Sequence, residues 1–562
     1  MSGGALAHPV ARPAPRPVPA PRLAGWPLFA VAVAILVSLP LLAVFANLFA
    51  SSDGVWGHLA ATVLPRYVEN SLWLALGVGA GTLFVGTGTA WLVTMYRFPG
   101  WRTFEWALLL PLAAPGYVMA YAYADFLQFV GPVQTALRNA MGWERGDYWF
   151  PEIRSVGGAV FVLTLAAYPY VYLLARSAFL AQSVCVLEAS RMLGCSPARM
   201  FWKVALPLAR PALVAGVALA LMETLAEFGA VQHFGIDTFT TGIYRTWFAL
   251  GTPVAAAQLS VLLVGFVLLL VVVERWSRGG MRFHHTTARY RRLPVQRLGA
   301  AGGTVALLCC VLPIALGFLV PGGVLLDMAI DGGDPLLGRQ FLGFARNSLL
   351  LGAMAAALVV VVATLLAYAQ RLARGPIVTI AVRVATLGYA MPGAVVAVGV
   401  LIAFGALDSA LDGWMRRSFG VSSGLLFSGT AFALLMAYLV RFLAVAFNTA
   451  EASLAKVTPH IDQAARVLGQ GPRGTLWRVH VPMLKGGLLT GALLVFVDVM
   501  KELPATLIVR PFDFDTLAIR AYRLASDERL AEASTASLAI VVVGILPVVL
   551  LSRAIGRTRP GA

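Results

Sequence analysis

At residues 188–194 the chain reads Glu-Ala-Ser-Arg-Met-Leu-Gly, and after nine further residues it reads Val-Ala-Leu-Pro at 204–207. A second copy begins 275 residues later as Gln-Ala-Ala-Arg-Val-Leu-Gly at 463–469, followed at the same spacing by Val-His-Val-Pro at 479–482. Nearly all of the sequence around both copies is apolar. A polar stretch that interrupts an apolar chain twice in the same way indicates an element outside a membrane, present once in each of two repeats.

The composition excludes a soluble globular protein. Of the 562 residues, 59% are hydrophobic and 12% are charged, and the mean hydropathy is +0.80. A soluble domain of this size needs more charge on its surface, so we infer an all-α polytopic membrane protein whose surroundings are the lipid bilayer. The formal net charge is +17, but the basic residues are dispersed among short loops, which argues against nucleic-acid binding.

Apolar runs of about 20 residues are long enough to cross a bilayer as helices. Twelve such runs are found, and they form two sets of six. The first set lies near 26–50, 70–95, 104–128, 157–180, 211–232 and 254–273. The second set lies near 299–320, 346–370, 376–404, 423–447, 486–508 and 534–552.

Arginine and lysine are concentrated on one side of these twelve spans, and most acidic residues are on the other. The positive-inside rule places the basic side, with both copies of the opening stretch, in the cytoplasm. Because the number of spans is even, both termini are expected on the cytoplasmic side as well.

The two sets of six are tandem repeats. Asn70-Ser71-Leu72 recurs as Asn347-Ser348-Leu349, and Pro115-Gly116 recurs as Pro392-Gly393 at the same offset of 277. Six spans per repeat imply parallel halves related by a pseudo-two-fold axis along the membrane normal. The predicted organisation is a disordered cytoplasmic tail (1–25), a first half (26–273), a basic cytoplasmic linker (274–298), a second half (299–552) and a C-terminal tail (553–562).

The opening stretch and its copy each predict two short helices joined by a turn, and we call the segments 186–207 and 461–482 the docking elements. Gly194 suits the left-handed position after a helix, and Ser196-Pro197 suits the N-cap and first residue of the next one. Gly471-Pro472 takes the same place in the second element. An apolar face held outside the bilayer fits a groove on a soluble partner, whereas the alternative is a helix lying on the lipid surface.

The spacing of the docking elements resembles the signature of permease subunits of ATP-binding-cassette importers. The departures are mild, with Ser190 and Val204 in the first copy and Gln463, Val479 and Val481 in the second. The resemblance implies that both elements are coupling helices, each contacting one of two copies of a nucleotide-binding ATPase subunit. The implied coupling residues are Glu188, Ala189, Gly194, Pro197, Pro207, Gln463, Ala464, Gly469, Pro472 and Pro482.

The resemblance covers nearly the whole chain and sharpens at 222–232, 238–245, 498–506 and 514–518. There the sequence looks like the fused twelve-span permeases of iron(III) importers, which implies a bacterial inner-membrane protein served by a periplasmic ferric-binding protein. Thiamine and polyamine importers carry related sequences, so the same machine for another small solute is an alternative. A different class, an ion-gradient-driven transporter or channel, is also left open.

An enzymatic role is not indicated. The chain has no G-x-x-x-x-G-K-[ST] pattern, so it lacks the phosphate-binding loop of an ATPase. We therefore expect no cofactor in this chain, with ATP and magnesium bound by the partner subunits.

Two acid pairs stand out in the apolar sequence, Glu223 with Glu227 and, 275 residues later, Asp498 with Glu502. The spacing of four predicts that each pair shares one face of a helix. Carboxylates at membrane depth usually face a cavity or a partner, and hard cations prefer oxygen ligands. We expect these four residues to form a metal site on the path of ferric ion. The alternatives are structural ion pairs with Lys501, Arg245 or Arg523, or contact with the rim of the binding protein.

Overall fold

The structure is a computed structural model that describes residues 25–52, 54–182, 190, 192–278, 296–335, 338–373 and 375–557. The predicted N-terminal tail, most of the predicted linker, and Glu188 and Ala189 of the first docking element therefore lie outside the described residues.

Within these ranges, eleven helices are long and apolar enough to cross a membrane, and a bent pair, Trp101–Ala113 with Gly116–Met141, makes a twelfth. The two members of that pair meet at 88°. Counting the pair as one span gives six spans in each half, so the predicted all-α, twelve-span class is confirmed. The strands in the described part are two dipeptides, β1 (Tyr96–Arg97) and β2 (Gln296–Arg297), which pair in parallel.

In the described part of the first half, the α-helices are joined by short turns. They are α1 (Gly25–Ala46), α2 (Val55–Thr62), α3 (Leu64–Met95), α4 (Trp101–Ala107), α5 (Gly116–Leu127), α6 (Pro132–Met141), α7 (Val156–Ala181), α8 (Pro197–Met200), α9 (Leu206–Ala226), α10 (Gly229–His233), α11 (Phe239–Phe248) and α12 (Pro253–Arg278). A 3-10 turn covers Leu110–Ala113, and a π turn covers Phe201–Ala205.

The second half repeats this order. Its helices are α13 (Ala300–Ile314), α14 (Val320–Gly332), α15 (Arg339–Leu372), α16 (Pro376–Ala385), α17 (Gly393–Phe419), α18 (Ala431–Leu454), α19 (Pro459–Val467), α20 (Pro472–Thr475), α21 (Val481–Met500), α22 (Pro504–Val509), α23 (Leu517–Ser526) and α24 (Leu530–Arg557). A 3-10 turn covers Leu387–Ala390, and π turns cover Ala315–Leu319 and Leu476–His480.

The same three helices form the core of each half. In the first half α3, α7 and α9 pack against one another, and in the second half α15, α18 and α21 do so. The outer helices then interlock the halves. The first helix of the chain, α1, packs against α16 and α17, while the last, α24, packs against the turn at Leu110–Ala113. Each half thus supplies helices that cover the apolar surface of the other.

The repeat is visible in individual hydrogen bonds. The side-chain amide of Asn70 donates to the carbonyl of Asp237 at 2.8 Å, and Asn347 donates to the carbonyl of Asp515 at 3.1 Å. In each half, the recurring Asn-Ser-Leu stretch therefore attaches its helix, α3 or α15, to the loop that follows the acid pair of the same half.

Several of the predicted spans have different limits in the structure, and the span predicted at 299–320, for example, extends to Gly332. The spans predicted at 104–128 and 376–404 are each broken at the Pro-Gly dipeptide, where Pro115 and Pro392 have extended ψ angles of 148° and 141°. The spans predicted at 211–232 and 486–508 begin earlier, because the docking elements continue through π turns into α9 and α21. Both also end earlier, at Ala226 and Met500.

Candidate functional site

A cavity of about 130 Å³, here called the central cavity, lies between the two halves. It is bordered by the Pro-Gly break of the first half and by the ends of α9 and α21 from both halves. All four acidic residues that the sequence analysis singled out line it: Glu223, Glu227, Asp498 and Glu502. The other polar side chains on its wall are Arg441, Lys501, Thr224, Tyr117, Tyr170 and Tyr389.

The second acid of each pair, Glu227 or Glu502, lies just after the end of a long helix. Glu227 follows the last residue of α9, and its carboxylate accepts a hydrogen bond from the backbone N–H of Ala230 at 3.0 Å. Glu502 follows the end of α21 in the same way and accepts from the N–H of Ala505 at 3.1 Å. The prediction that each acid pair shares one helical face is therefore wrong, because the helix ends before the second acid. Both members of each pair nevertheless reach the same cavity.

A second helix N-terminus approaches each of these glutamates. A Cβ atom added to Gly116, the first residue of α5, would lie 3.1 Å from Oε2 of Glu227. A Cβ atom added to Gly393, the first residue of α17, would lie 2.5 Å from Oε1 of Glu502. The Pro-Gly dipeptide ends one helical segment and removes the side chain that would block this approach. Because helix N-termini carry partial positive charge, the arrangement favours carboxylates at both places.

Two cations stand among the acids, and both come from the second half. Arg441 Nη2 lies 3.3 Å from Oε2 of Glu502, and Lys501 Nζ lies 3.1 Å from Oδ1 of Asp498. The alternative pairing with Lys501 is therefore correct for Asp498. Arg441 was missed, although an arginine in the middle of the apolar run 423–447 is itself a signal for a site inside the membrane.

The other two proposed partners are elsewhere. Arg245 pairs with Asp237, and Arg523 pairs with Asp515, at equivalent places in the loops after the acid pairs. Neither Glu223 nor Glu227 forms an ion pair within 4 Å in the part of the chain that the structure describes. The acids of the first half thus lack a direct ion pair in the described part, whereas those of the second half are each paired.

The central cavity is not a preassembled metal centre. Across the described ranges, no group of three or more His, Cys, Asp or Glu side chains is close enough together to hold one metal ion. Tyr117 and Tyr170 of the first half line the cavity and add phenol oxygens to its wall. The phenol oxygen of Tyr117 is buried and has no hydrogen-bond partner in the protein.

The docking elements have the local geometry that their sequences predict. Gly194 and Gly469 adopt left-handed φ angles of +76° and +75°, as a residue after a helix end requires. Ser196 caps α8 by accepting from the N–H of Arg199 at 3.3 Å, and Pro197 and Pro472 begin α8 and α20. Pro207 and Pro482 stand in the first turn of α9 and α21, just after the π turns.

Both docking elements expose apolar side chains at equivalent positions. Met192 and Leu193 are 89% and 84% exposed, and Val467 and Leu468 are 87% and 77% exposed. Gln463 and Ala464 are exposed on the same element as Val467, and Gln463 contacts the ring of His460 at 3.2 Å.

The second docking element is held by a polar network. Asp462 pairs with Arg371 at 2.7 Å and with the fully buried His480 at 2.6 Å. Tyr368 donates from its hydroxyl to the carbonyl of Pro472 at 2.8 Å. Since Tyr368 and Arg371 belong to the end of α15, this network fixes the element to a core helix of the second half. Movement of the element is thereby linked to movement of α15.

The first docking element is supported by aromatic packing in the corresponding place. Trp91, near the end of α3, packs against Phe179 and Phe201 with ring centroids 5.2 Å and 5.0 Å apart. Each element therefore has its own connection to a core helix, one apolar and one ionic.

Comparison with known proteins finds a family model described as the binding-protein-dependent transport system inner membrane component. It matches residues 24–277 and again residues 360–559. The two matched regions correspond to the two repeats.

Two of the individual relatives are similar over most of the chain, and a third is similar over part of it. The Fe(3+)-transport system permease protein FbpB 2 of Haemophilus influenzae is 27% identical over 541 residues, which are 94% of this chain and 98% of the relative. The ferric transport system permease protein FbpB of Actinobacillus pleuropneumoniae is 23% identical over 86% of this chain and 71% of its own length. The molybdenum transport system permease protein ModB of Escherichia coli is 27% identical over 33% of this chain and 81% of its own length.

Proposed function

This chain belongs to the family of binding-protein-dependent transport system inner membrane components, and we propose that it is the permease of an ATP-driven importer of ferric iron. It is a fused, two-half permease that crosses the membrane many times, and it is a translocation subunit rather than an enzyme. Its family implies an ATPase and a solute-binding protein as partners. Beyond what the family implies, we propose the cargo, the orientation of the chain in the membrane and the number of ATPase copies, which is two.

The observation that carries the iron proposal is the set of four carboxylates around one cavity between the halves. Ferric ion is a hard, highly charged cation that prefers oxygen ligands. Four acids against two bases give the cavity an excess of negative charge, which lowers the cost of placing such a cation at membrane depth. The two ferric-transport relatives, which match most of this chain, support the same cargo.

The cavity is suited to passage rather than storage. A tight chelating centre would hold ferric ion too strongly for release, and conduction requires a site that the ion can also leave. Carboxylates held by backbone N–H groups at helix breaks offer charge without closing into a complete ligand shell. We therefore assign Glu223, Glu227, Asp498 and Glu502 to a transient site on the translocation path.

The docking elements supply the connection to ATP. In this proposal two ATPase copies bind ATP and magnesium, and each receives one docking element through its exposed apolar side chains. Closure of the ATPase pair moves both elements together, and α9 and α21 transmit the movement because they continue directly from them. The cavity then opens to a ferric-binding protein on the periplasmic side. Both termini are cytoplasmic in this arrangement.

The acidic cavity also fits an organic cation, so a polyamine or thiamine importer is the second candidate. It would use the same machine, and the ligand of the cognate binding protein distinguishes the cargoes. The alternative of an ion-gradient-driven transporter or channel is set aside because the chain belongs to an importer family with separate binding proteins.

Removing the charge of two cavity acids tests the iron path. We expect Glu227→Gln combined with Glu502→Gln to lower ATP-driven ferric uptake into proteoliposomes by at least ~10-fold, because a glutamine still accepts the backbone hydrogen bonds but attracts no cation. The complex would contain the permease, its ATPase and a loaded binding protein. Glu144→Gln, on an exposed loop outside the cavity, is the matched control and should transport normally. Wild-type uptake by the double variant at equal protein level would remove the cavity from the path.

A further inference from the structure

We propose that Arg441 and Lys501 are tethered counter-ions that occupy the central cavity without cargo and make its entry selective for highly charged cations. A cation that enters must displace both side chains from the carboxylates. This inference rests on the proposed function, since it needs a cationic cargo, but it concerns residues that the proposed path does not use.

The Arg441 contact is incomplete in a way that a purely structural ion pair is not. The arginine is buried, with a side chain 10% exposed, and its Nη2 lies 3.3 Å from Oε2 of Glu502. Its other terminal nitrogen, Nη1, is buried and has no hydrogen-bond partner in the protein. Buried arginine–carboxylate pairs that stabilise a fold are usually bidentate, with the remaining donors satisfied. Here one donor group has no partner among the described residues, in an arginine that borders the cavity.

The first half shows that the fold does not need these cations. By the repeat offset of 275, Arg441 corresponds to Ala166 and Lys501 corresponds to Ala226, and both alanines also line the central cavity. Glu227 nevertheless makes the same backbone hydrogen bond as Glu502. If the cations served only to hold the glutamates in place, the first half would lack the matching geometry. Their presence on one side alone indicates a role toward something that enters the cavity.

The charges make the two halves unequal for an incoming cation. Glu223 and Glu227 form no ion pair within 4 Å among the described residues, whereas Asp498 and Glu502 are paired with Lys501 and Arg441, which must move before an incoming cation can contact these two carboxylates. Coulomb energy grows with the product of the charges, so a trivalent ion gains three times as much from each carboxylate as a side-chain cation does. A monovalent ion has no such advantage over a tethered cation, and a divalent ion has a smaller one. The two tethered cations therefore disfavour the entry of monovalent and divalent ions more than that of trivalent ions.

Terbium binding to the purified full-length chain tests this threshold. Terbium is a hard trivalent ion, and tyrosines within a few ångströms sensitise its luminescence; Tyr117, Tyr170 and Tyr389 border the cavity. The cavity signal is the part of the luminescence that Glu227→Gln with Glu502→Gln abolishes. We expect Arg441→Met with Lys501→Met to tighten terbium binding at least ~10-fold and to let calcium compete, which it does weakly in the wild type.

Two further variants keep the test decisive. Lys501→Met alone leaves the buried arginine in place and should give a smaller change in the same direction, and Arg441→Lys should keep wild-type selectivity. Arg416→Met removes an exposed cation outside the cavity and should change nothing. Terbium and calcium binding unchanged in the Arg441 and Lys501 variants would overturn the counter-ion role while leaving the acidic site intact. Terbium luminescence unaffected by the two Glu→Gln changes would instead overturn the proposed cation site itself.

Discussion

At the scale of single residues, the site depends on Glu227 and Glu502, which lie just after the ends of α9 and α21. Glu227 and Glu502 each cap a following short helix, and each faces the N-terminus of a second helix across a glycine. Each carboxylate thereby satisfies a backbone N–H group at the start of a helix, which has no partner within the helix itself. The same carboxylate therefore supports the local fold and supplies the negative charge of the cavity.

Substitution of Gly393 tests whether transport depends on the close approach of the α17 N-terminus to the carboxylate of Glu502. A methyl group there would lie 2.5 Å from Glu502 Oε1 and 2.2 Å from Arg441 Nη1, so both side chains must move. Because these atoms end flexible side chains, we expect Gly393→Ala to fold but to lower ferric uptake several-fold. Gly116→Ala, whose nearest contacts are 3.0–3.1 Å, should have a weaker effect.

The control for Gly393 lies on the same helix. Gly405, also in α17, has open space around an added Cβ atom, so Gly405→Ala should leave uptake unchanged and slightly favour the helix. Equal uptake by the Gly393 and Gly405 variants, at equal membrane levels, would show that the approach of helix and carboxylate has no functional part.

At the scale of elements, apolar runs predicted the number of spans well but not their breaks. Proline alone does not mark a break, since Pro40, Pro169 and Pro211 stand inside helices. Pro115 and Pro392 do mark one, and each is followed by a glycine that a distant glutamate approaches. This approach joins residues more than 100 positions apart, so local sequence does not contain it. The pairing of Arg441 with Glu502 likewise joins distant parts of the chain, although the arginine itself stands out as a charge inside an apolar run.

The docking elements were predictable in more detail, because their turns depend on local chemistry. The positive φ of Gly194 and Gly469, and the helix starts at Pro197 and Pro472, follow from short-range rules. What binds there does not follow from such rules. The exposed apolar side chains suit either an ATPase groove or the lipid surface.

Substitution of one exposed leucine per element separates these two surfaces. Leu193→Ser and Leu468→Ser should leave the permease folded, since both side chains are 77% exposed or more, but should lower the fraction that copurifies with the ATPase several-fold. Lys456→Ala, exposed just before the second element, is the control and should copurify normally. Unchanged copurification together with weaker binding of the elements to lipid vesicles would favour the interfacial-helix alternative.

At the scale of the whole molecule, two fused halves enclose one cavity and interlock through their outer helices. The repeat could be predicted because one offset holds across many residues, and the family matches the two repeats separately. The sequence did not predict that only the second half supplies cationic side chains to the cavity, because this depends on which side chains reach the cavity. Ala166 and Ala226 are unremarkable in sequence and become informative only opposite Arg441 and Lys501.

The most direct test of the central claim is the identity of the cargo. Proteoliposomes containing the permease, its ATPase and the cognate binding protein would be given labelled ferric iron, spermidine or thiamine, with ATP or with a non-hydrolysable analogue inside. The account predicts accumulation of iron alone, only with hydrolysable ATP, and its loss in the Glu227→Gln, Glu502→Gln double variant. Accumulation of spermidine or thiamine in place of iron, or iron uptake that does not need ATP, would contradict it.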